Sequence, residues 1–445
     1  MGRRSHTRHL ALWMNGERVG TWHAAPAADE LSYDASWLAS PQARPLSLSL
    51  PFRPGNLPHR GGVVRDYFDN LLPDSRPIRE RLARKFRTPT TEASELLAEI
   101  GRDCVGALQI LPDGQDPGDT KVLRADALGE AGVAGVLRAA VSPANLDDRL
   151  EDEFRISLAG AQEKTALLWW DGQWWRPTGP TPTTHILKLP LGIVGNMKLD
   201  LRDSVENEWL CASILEAYGL PVARCHPLTF EGQRVLAVER FDRAWSEDGT
   251  WIARLPQEDM CQATGTPALA RYEAEGGPGI DRIAGLLSGS RRRVRDREVF
   301  FRAQLLFWLL CAPDGHAKNF SIALHAGGSF SMTPLYDVVS AYPVLGHGAN
   351  RMAPQRVSLA MALRCTNVHW RMRDILRRHW VEVGRRNGIV AADGRGVEAI
   401  IQDVIDRTPA ALEAAAARLP AGFPAQVADS ILGGVRDAAA RLAAM

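Results

Sequence analysis

The sequence predicts an α+β fold with two lobes and an extra β-rich unit ahead of them. Three observations predict it. Strand-like runs flank an Asn15-Gly16 turn near the start, short strand-like runs with one helix fill residues 149–241, and beyond Asp242 the apolar spacing is mostly helical to the end. A chain of 445 residues is too long for one ordinary core and divides into two or three compact units.

In the first unit, residues 1–112, LALWMNGERVGTW carries the hairpin signal and RPLSLSLPF alternates at period two, as a strand does. VVRDYFDNLLP and RPIRERLARKF read as helices. TEASELLAEI reads as a third, capped by Thr91 and stopped by Gly101, and GALQILPDG as a strand and turn. Residues 113–148, rich in Asp, Gly, Pro and Ala, read as a connecting segment of short helices and loops. The second unit, 149–241, continues with ISLAG, KTALLWW, GQWWRP and THILKLP as strands, ENEWLCASILEAYGL as a helix ending at Gly219, and a final strand pair ending in QRVLAVERF. The third unit, 242–445, is a large helical lobe whose most hydrophobic helix is EVFFRAQLLFWLLCA. A β lobe followed by a helical lobe places a ligand cleft between them.

Composition narrows the classes. Apolar content of 45%, charged content of 24% and a formal charge of +1 describe an ordinary globular chain, so contact with nucleic acid needs a local patch. Six scattered cysteines contain no CxxC pair, which argues against zinc and for reduced thiols. No secretory h-region or membrane span is apparent, since VFFRAQLLFWLLCAP is broken by Arg302 and Gln304. The expectation is a cytoplasmic protein without membrane contact.

The chemistry concentrates in APDGHAKNF. Asp314 and Asn319 are five apart in a polar turn after an apolar helix, the spacing of a kinase catalytic loop. Phosphoryl transfer needs a carboxylate to orient or deprotonate the attacking hydroxyl, and oxygen ligands for magnesium on the nucleotide phosphates. Asp337 follows in TPLYDVVS between apolar neighbours, where a metal would compensate its charge; a helix cap or a buried salt bridge is the alternative. Lys188, inside the apolar strand THILKLP, wants a phosphate or a carboxylate, unless it snorkels from a strand end. Glu208 on the next helix is its candidate partner or a solvated glutamate. Glu239, Arg240 and Phe241 fall where the lobes join, as a hinge for adenine. Ala159, Gly160 and Ala161 are small enough for a phosphate loop that Gln162, Glu163 and Lys164 complete, although GAQEKT lacks the glycine of a Walker A motif. The run HWRMRDILRRHWVEVGRR, with Arg377 and Arg378, is either a DNA-contacting face or a solvated arginine-rich helix.

The order of FRISLAGAQEKTALL, PTTHILKLP, VERFDR, RLPQEDMCQ, DGHAKNF and LYDVVSAYPVLG resembles the HipA serine/threonine kinases, toxins of HipA–HipB toxin–antitoxin modules. WMNGERVGT, RPLSLSLP, FDNLLPDS and LLAEIGRDCVGA extend the resemblance over nearly the whole chain. It implies a bilobal fold of the protein-kinase or phosphatidylinositol-kinase type. Asp314 would be the proton acceptor, Asn319 and Asp337 would hold Mg2+, and His316, Ala317, Lys318 and Tyr336 would join the loop, lysine and hinge around ATP. Ser157 would be autophosphorylated. The implied partners are a HipB-like helix-turn-helix antitoxin dimer, operator DNA reached through it, and an aminoacyl-tRNA synthetase of the glutamyl type as substrate, with dormancy as the outcome. Pro313 departs from the small polar residue expected before the catalytic aspartate, and the basic C-terminal segment matches less well. Two other readings stand beside this one. A small-molecule kinase of the aminoglycoside or lipid-kinase type shares the Asp-to-Asn logic, and a DNA-binding repressor subunit would carry a damaged kinase site.

Overall fold

Asn15 and Gly16 both take positive φ, 48° and 88°, the conformation that lets a two-residue turn match strand twist. In a computed structural model, which describes residues 7–25, 27–141, 157–160, 162–195 and 197–445, they join β1 (Arg8–Met14) to β2 (Glu17–Ala24). With β3 (Glu30–Tyr33), β4 (His59–Arg60) and β5 (Leu108–Pro112) these form an antiparallel sheet, ordered β4-β3-β2-β1-β5 among the described residues. The short α1 (Ala35–Ala39) follows β3. After it, α2 (Gly62–Asp69), α3 (Arg76–Lys85) and α4 (Ala93–Ile100) supply the other half of this unit's core, where Trp22 stacks on Phe68 at 3.8 Å between ring centroids.

Two local expectations fail here for physical reasons. RPLSLSLPF forms no strand. Its alternation arises because Leu46 and Leu50 are buried while Ser47 and Ser49 donate to the Gln262 carbonyl (3.1 and 2.7 Å), and the Leu48 amide donates to Glu258 (2.9 Å). Side chains and carbonyls of the third unit thus satisfy this segment in place of a ladder. Helix α4 starts from Glu92 and makes no side-chain cap bond, so Thr91 does not cap it.

The second sheet, in order among the described residues, runs β12 (Cys225–Phe230), β13 (Gln233–Glu239), β9 (His185–Lys188), β7 (Lys164–Trp170), β8 (Gln173–Pro177) and β6 (Ala125–Leu128). Helix α5 (Glu130–Val141) packs on it; Val133, Ala134 and Leu137 meet Leu167, Leu187 and Val235. The segment at 113–148, to the extent described, is therefore more than a connection. The hairpin of β10 (Gly192–Val194) and β11 (Leu199–Leu201) follows, then α6 (Ser204–Ala217), β12 (Cys225–Phe230) and β13 (Gln233–Glu239). Register places Lys164 directly opposite Lys188, and Lys188 opposite Leu236. Residues 157–160 of ISLAG are not a strand; Gly160 instead makes an isolated bridge to Pro73.

The third unit is less purely helical than expected. A hairpin of β14 (Arg243–Trp245) and β15 (Ile252–Arg254) leads to β16 (Gln257–Asp259) and α7 (Met260–Thr264). Helices α8 (Ile280–Leu287) and α9 (Arg293–Leu309) precede β17 (Ser321–Leu324) and β18 (Phe330–Met332), and β17 pairs with both β16 and β18 in a small sheet. The pair β19 (Ser358–Arg364) and β20 (Val368–Arg371) leads to α10 (Arg377–Arg386), α11 (Val397–Ala416) and α12 (Ala425–Ala443). Helix α9 buries Phe300, Phe301, Leu305, Leu306, Phe307 and Trp308, as a helix enclosed on nearly every side does. Among the described residues no helix is long and apolar enough to cross a membrane.

The first unit is bolted to the others through buried charge. Asp103 accepts from the Thr183 amide and hydroxyl (3.1 and 2.7 Å), from Arg240 (3.2 Å), Arg243 (2.8 Å) and Arg254 (3.2 Å). Asp242 accepts from Nε and Nη2 of Arg240, Thr183 and the Cys104 carbonyl take further donors, and Asn15 exchanges two hydrogen bonds with the Arg254 main chain. All these arginine side chains are almost completely buried, a state tolerated only with partners of this quality.

Candidate active site

The turn after α9 brings the catalytic candidates together. Gly315 follows Asp314, and a Cβ there would lie 2.4 Å from a Phe307 ring carbon, so only glycine lets the turn close on the helix. The His316 amide donates to the Asp314 carbonyl (2.8 Å) and the Asn319 amide to the His316 carbonyl (2.9 Å). The Asp314 carboxyl opens to the cleft but is crowded by protein elsewhere, and this loss of water raises its pKa, against His316 and a hydrogen bond from Tyr272.

Asp337 lies in the loop after β18 with φ at 62°, a left-handed conformation uncommon outside glycine that aspartate and asparagine adopt more readily than most residues. Its Oδ1 accepts from Lys188 Nζ at 2.8 Å, and the same nitrogen donates to Glu208 Oε1 at 2.6 Å. Glu208 is thus the partner of Lys188, and Asp337 shares it. Asn319 Nδ2 faces Asp337 Oδ2 at 3.3 Å. Burial alone would raise the Asp337 carboxyl, but Lys188 and Lys164 hold it well below the usual range. Burial lowers Lys164 to about 8 despite the attraction of Asp337.

A cavity of about 580 Å3 lies against these groups, of a size that takes a nucleotide. Ala159, Gly160, Gln162, Lys164 and Lys188 line one side. Glu239, Arg240 and Phe241 line the lobe junction, and Asp314, His316, Lys318, Asn319, Tyr336 and Asp337 the other side. Several expected roles change. Glu163 does not line the cavity, because Arg81 of α3 pairs with its carboxylate. Ala317 is fully buried beneath the turn and does not line it either. Lys318 spends its charge on Asp74 of the first unit (2.7 Å) rather than on the cavity, and the Arg240 guanidinium is held in the Asp103 network. Ala161 lies outside the described residues. Ser157 is fully buried, its hydroxyl donating to the Leu71 carbonyl at 2.8 Å. Arg377 and Arg378 start α10 away from this cavity, Arg377 donating to Gln402 at 3.0 Å.

Other residues of the site carry no spacing signal. Asn70, Leu71 and Asp74, from the FDNLLPDS stretch, line the cavity, and the Asp74 amide donates to the Gly160 carbonyl at 3.0 Å. Gln257 donates to Asp242 (3.1 Å), while its buried Oε1 has no partner. Asp259 caps α7 by accepting from the Gln262 amide at 2.8 Å, which gives RLPQEDMCQ a structural role.

The donor set fits magnesium. Asn319 Oδ1 is buried without a hydrogen-bond partner, beside the Asp337 carboxylate. Among the described residues no cluster of three or more His, Cys, Asp or Glu forms a closed metal site. One amide oxygen and one carboxylate, with phosphate and water completing the shell, is how magnesium is held at nucleotide sites.

The family model of the HipA-like C-terminal domain matches residues 156–412, and that of the HipA N-terminal domain matches residues 10–111. The Sinorhizobium fredii protein Y4mE, named as a kinase, is 34% identical over 362 residues, 79% of this chain and 82% of that protein. The serine/threonine-protein kinase toxin HipA of Shewanella oneidensis is 25% identical over 343 residues, 75% of this chain and 74% of that protein. In fold, the chain resembles a protein of the Shewanella oneidensis HipA, HipB and operator DNA complex, with a TM-score of 0.76, 98% of both chains covered and 20% identity.

Proposed function

This chain belongs to the HipA family, and from that premise we propose that it is an ATP-dependent serine/threonine kinase toxin with Asp314 as its catalytic base. The observation that carries the reading is the constellation of Asp314, Asn319, Asp337 and the Lys188–Glu208 pair around one cavity. Asp314, Asn319, Asp337 and Lys188, the four polar positions expected of an active kinase, are all present, which disfavours a repressor subunit with a vestigial site.

In the reaction, the acceptor hydroxyl lies against Asp314, whose raised pKa suits it to take the hydroxyl proton as the oxygen–phosphorus bond forms. The bond from the γ-phosphorus to its bridging oxygen breaks, and ADP leaves with that oxygen. Lys188, oriented by Glu208, meets phosphate oxygens, and the small residues at 159–160 let main chain approach them. Magnesium, held by Asn319 and Asp337, would neutralise charge on the phosphates. Phe241 beside Tyr336, with ring centroids 5.8 Å apart, offers an apolar wall for the base.

Ser157 is the proposed autophosphorylation site. With its hydroxyl fully buried against Leu71, it can be modified only when the 157–160 segment lifts, and a dianion cannot return to that seat. The protein substrate is an aminoacyl-tRNA synthetase of the glutamyl type, and the setting is cytoplasmic; both rest on the family. Incubating the chain with ATP-Mg and glutamyl-tRNA synthetase should label both proteins. Mass spectrometry should place the chain's own phosphate at Ser157, and the modified form should bind ATP at least about 100-fold more weakly. No label on any protein defeats the kinase reading; a labelled Ser157 with unchanged ATP affinity defeats only the switch.

The proposed partner is a HipB-like antitoxin dimer that brings the chain beside operator DNA. The fold shared with the HipA–HipB–DNA complex and the exposed Arg378 support it. Neutralising Arg377 and Arg378 should weaken the ternary complex and lower its salt slope by about 1–2. An unchanged slope in electrophoretic mobility shifts would leave α10 as a solvated helix.

A further inference from the structure

Asp314 has one oxygen occupied. The Tyr272 hydroxyl donates to its Oδ1, and Oδ2 accepts no hydrogen bond from any described residue. Tyr272 sits in RYEAEGG, a stretch without kinase-like spacing, and lines the cavity. Burial, then the Asp314 charge, raises its pKa, so the phenol keeps its proton and stays a donor.

The seat of Tyr272 is tied down on several sides. Its ring meets His316 edge-on, with centroids 4.9 Å apart, and the Arg271 guanidinium lies 5.1 Å from the ring centre. The Arg271 carbonyl accepts from the Ala317 amide at 3.3 Å, tying this loop to the catalytic turn. Beyond it, Glu273 accepts from the Ala362 amide (2.7 Å) and from Arg364 (2.5 Å). A Cβ on Gly277 would fall 2.2 Å from the Ala270 carbonyl oxygen, so the loop folds back on itself as tightly as glycine allows.

We propose that Tyr272 is a positioning residue for phosphoryl transfer: it holds Asp314 by Oδ1 so that Oδ2 alone faces the acceptor hydroxyl. A carboxylate free to rotate would present either oxygen over a range of directions. One fixed donor removes that freedom, and orientation of this kind governs rate rather than nucleotide affinity. The fixed loop argues against a phenol that merely fills the acceptor's place and swings out when substrate binds. The inference rests on the reading of Asp314 as the base.

Tyr272→Phe keeps the ring and its contacts with His316 and Arg271, so it removes one hydrogen bond from a folded site. Initial rates of 32P incorporation from γ-labelled ATP into the full chain, against ATP concentration and pH, test it alongside Asp314→Asn. The maximal rate of Tyr272→Phe should fall on the order of 10²-fold, with half-saturating ATP within about two-fold of the unmodified chain. The acidic limb of the rate profile should move to higher pH, because a bond that lowers the Asp314 pKa is lost while His316, Arg271 and Asp337 stay in place around it. An inactive Asp314→Asn beside a Tyr272→Phe of unchanged or raised rate overturns the positioning role alone. Near-normal turnover by Asp314→Asn overturns the base assignment beneath it.

Discussion

Replacing Asp337 with asparagine should lower phosphotransfer by on the order of 10³-fold while the chain stays folded. Asparagine is the informative replacement, because it tolerates the left-handed backbone that Asp337 adopts and therefore isolates the charge. The substitution removes the proposed carboxylate ligand for magnesium and one of the two counter-charges of Lys188. Glu208 remains to hold Lys188 by its 2.6 Å bond, which is why the lobe should survive. Lys164, which burial already lowers to about 8, loses the main attraction keeping it protonated, so its pKa should fall further. Initial rates with ATP-Mg, beside thermal unfolding, provide the measurement. Turnover within about tenfold of the unmodified chain would remove Asp337 from the metal site.

The largest stability effect should come from Asp103→Ala, remote from the chemistry. Burial would raise this carboxyl, yet Arg243, Arg240 and Arg254 together hold it far below its ordinary value. Deleting it leaves these guanidinium groups buried with lost partners, and breaking a buried pair costs about 3–5 kcal/mol. Because the folded pKa is depressed, the contribution is fully present above the unfolded pKa of about 3.9 and is lost as pH falls toward the folded value. Urea midpoints should therefore differ widely at neutral pH, and the gap should narrow below about pH 4. A variant as stable as the unmodified chain at pH 7 would mean that the cluster relaxes to admit water.

Asp314, Asn319, Asp337 and Lys188 were legible in the sequence because each breaks a local rule: a polar turn after an apolar helix, or a charge inside an apolar strand. Glu208 was ambiguous because a helical glutamate looks alike in either setting. Tyr272, Asp74 and Asp103 left no such mark, since their partners lie 42, 244 and at least 80 residues away and only topology joins them. RPLSLSLPF misled in the opposite sense. Its period of two reports which side chains face a neighbour, and a neighbouring unit imposes that as well as a neighbouring strand does. Glu163 read as part of a phosphate loop because nothing local shows that Arg81 reaches it across the unit boundary.

The buried arginines at the lobe junction bear on how nucleotide enters and leaves. Rotation about residues 239–242 would strip the buried Arg240 of bonds to Asp103, Thr183, Cys104 and Asp242. The junction is in that sense a weld, not a pivot. Over the cavity, by contrast, Ser157 and Gly160 are fastened to the first unit by hydrogen bonds from the Ser157 amide and hydroxyl and to the Gly160 carbonyl. Lifting them breaks these three hydrogen bonds and uncovers Leu158. By that comparison the junction stays put, and the 157–160 segment is the part whose movement would open the site.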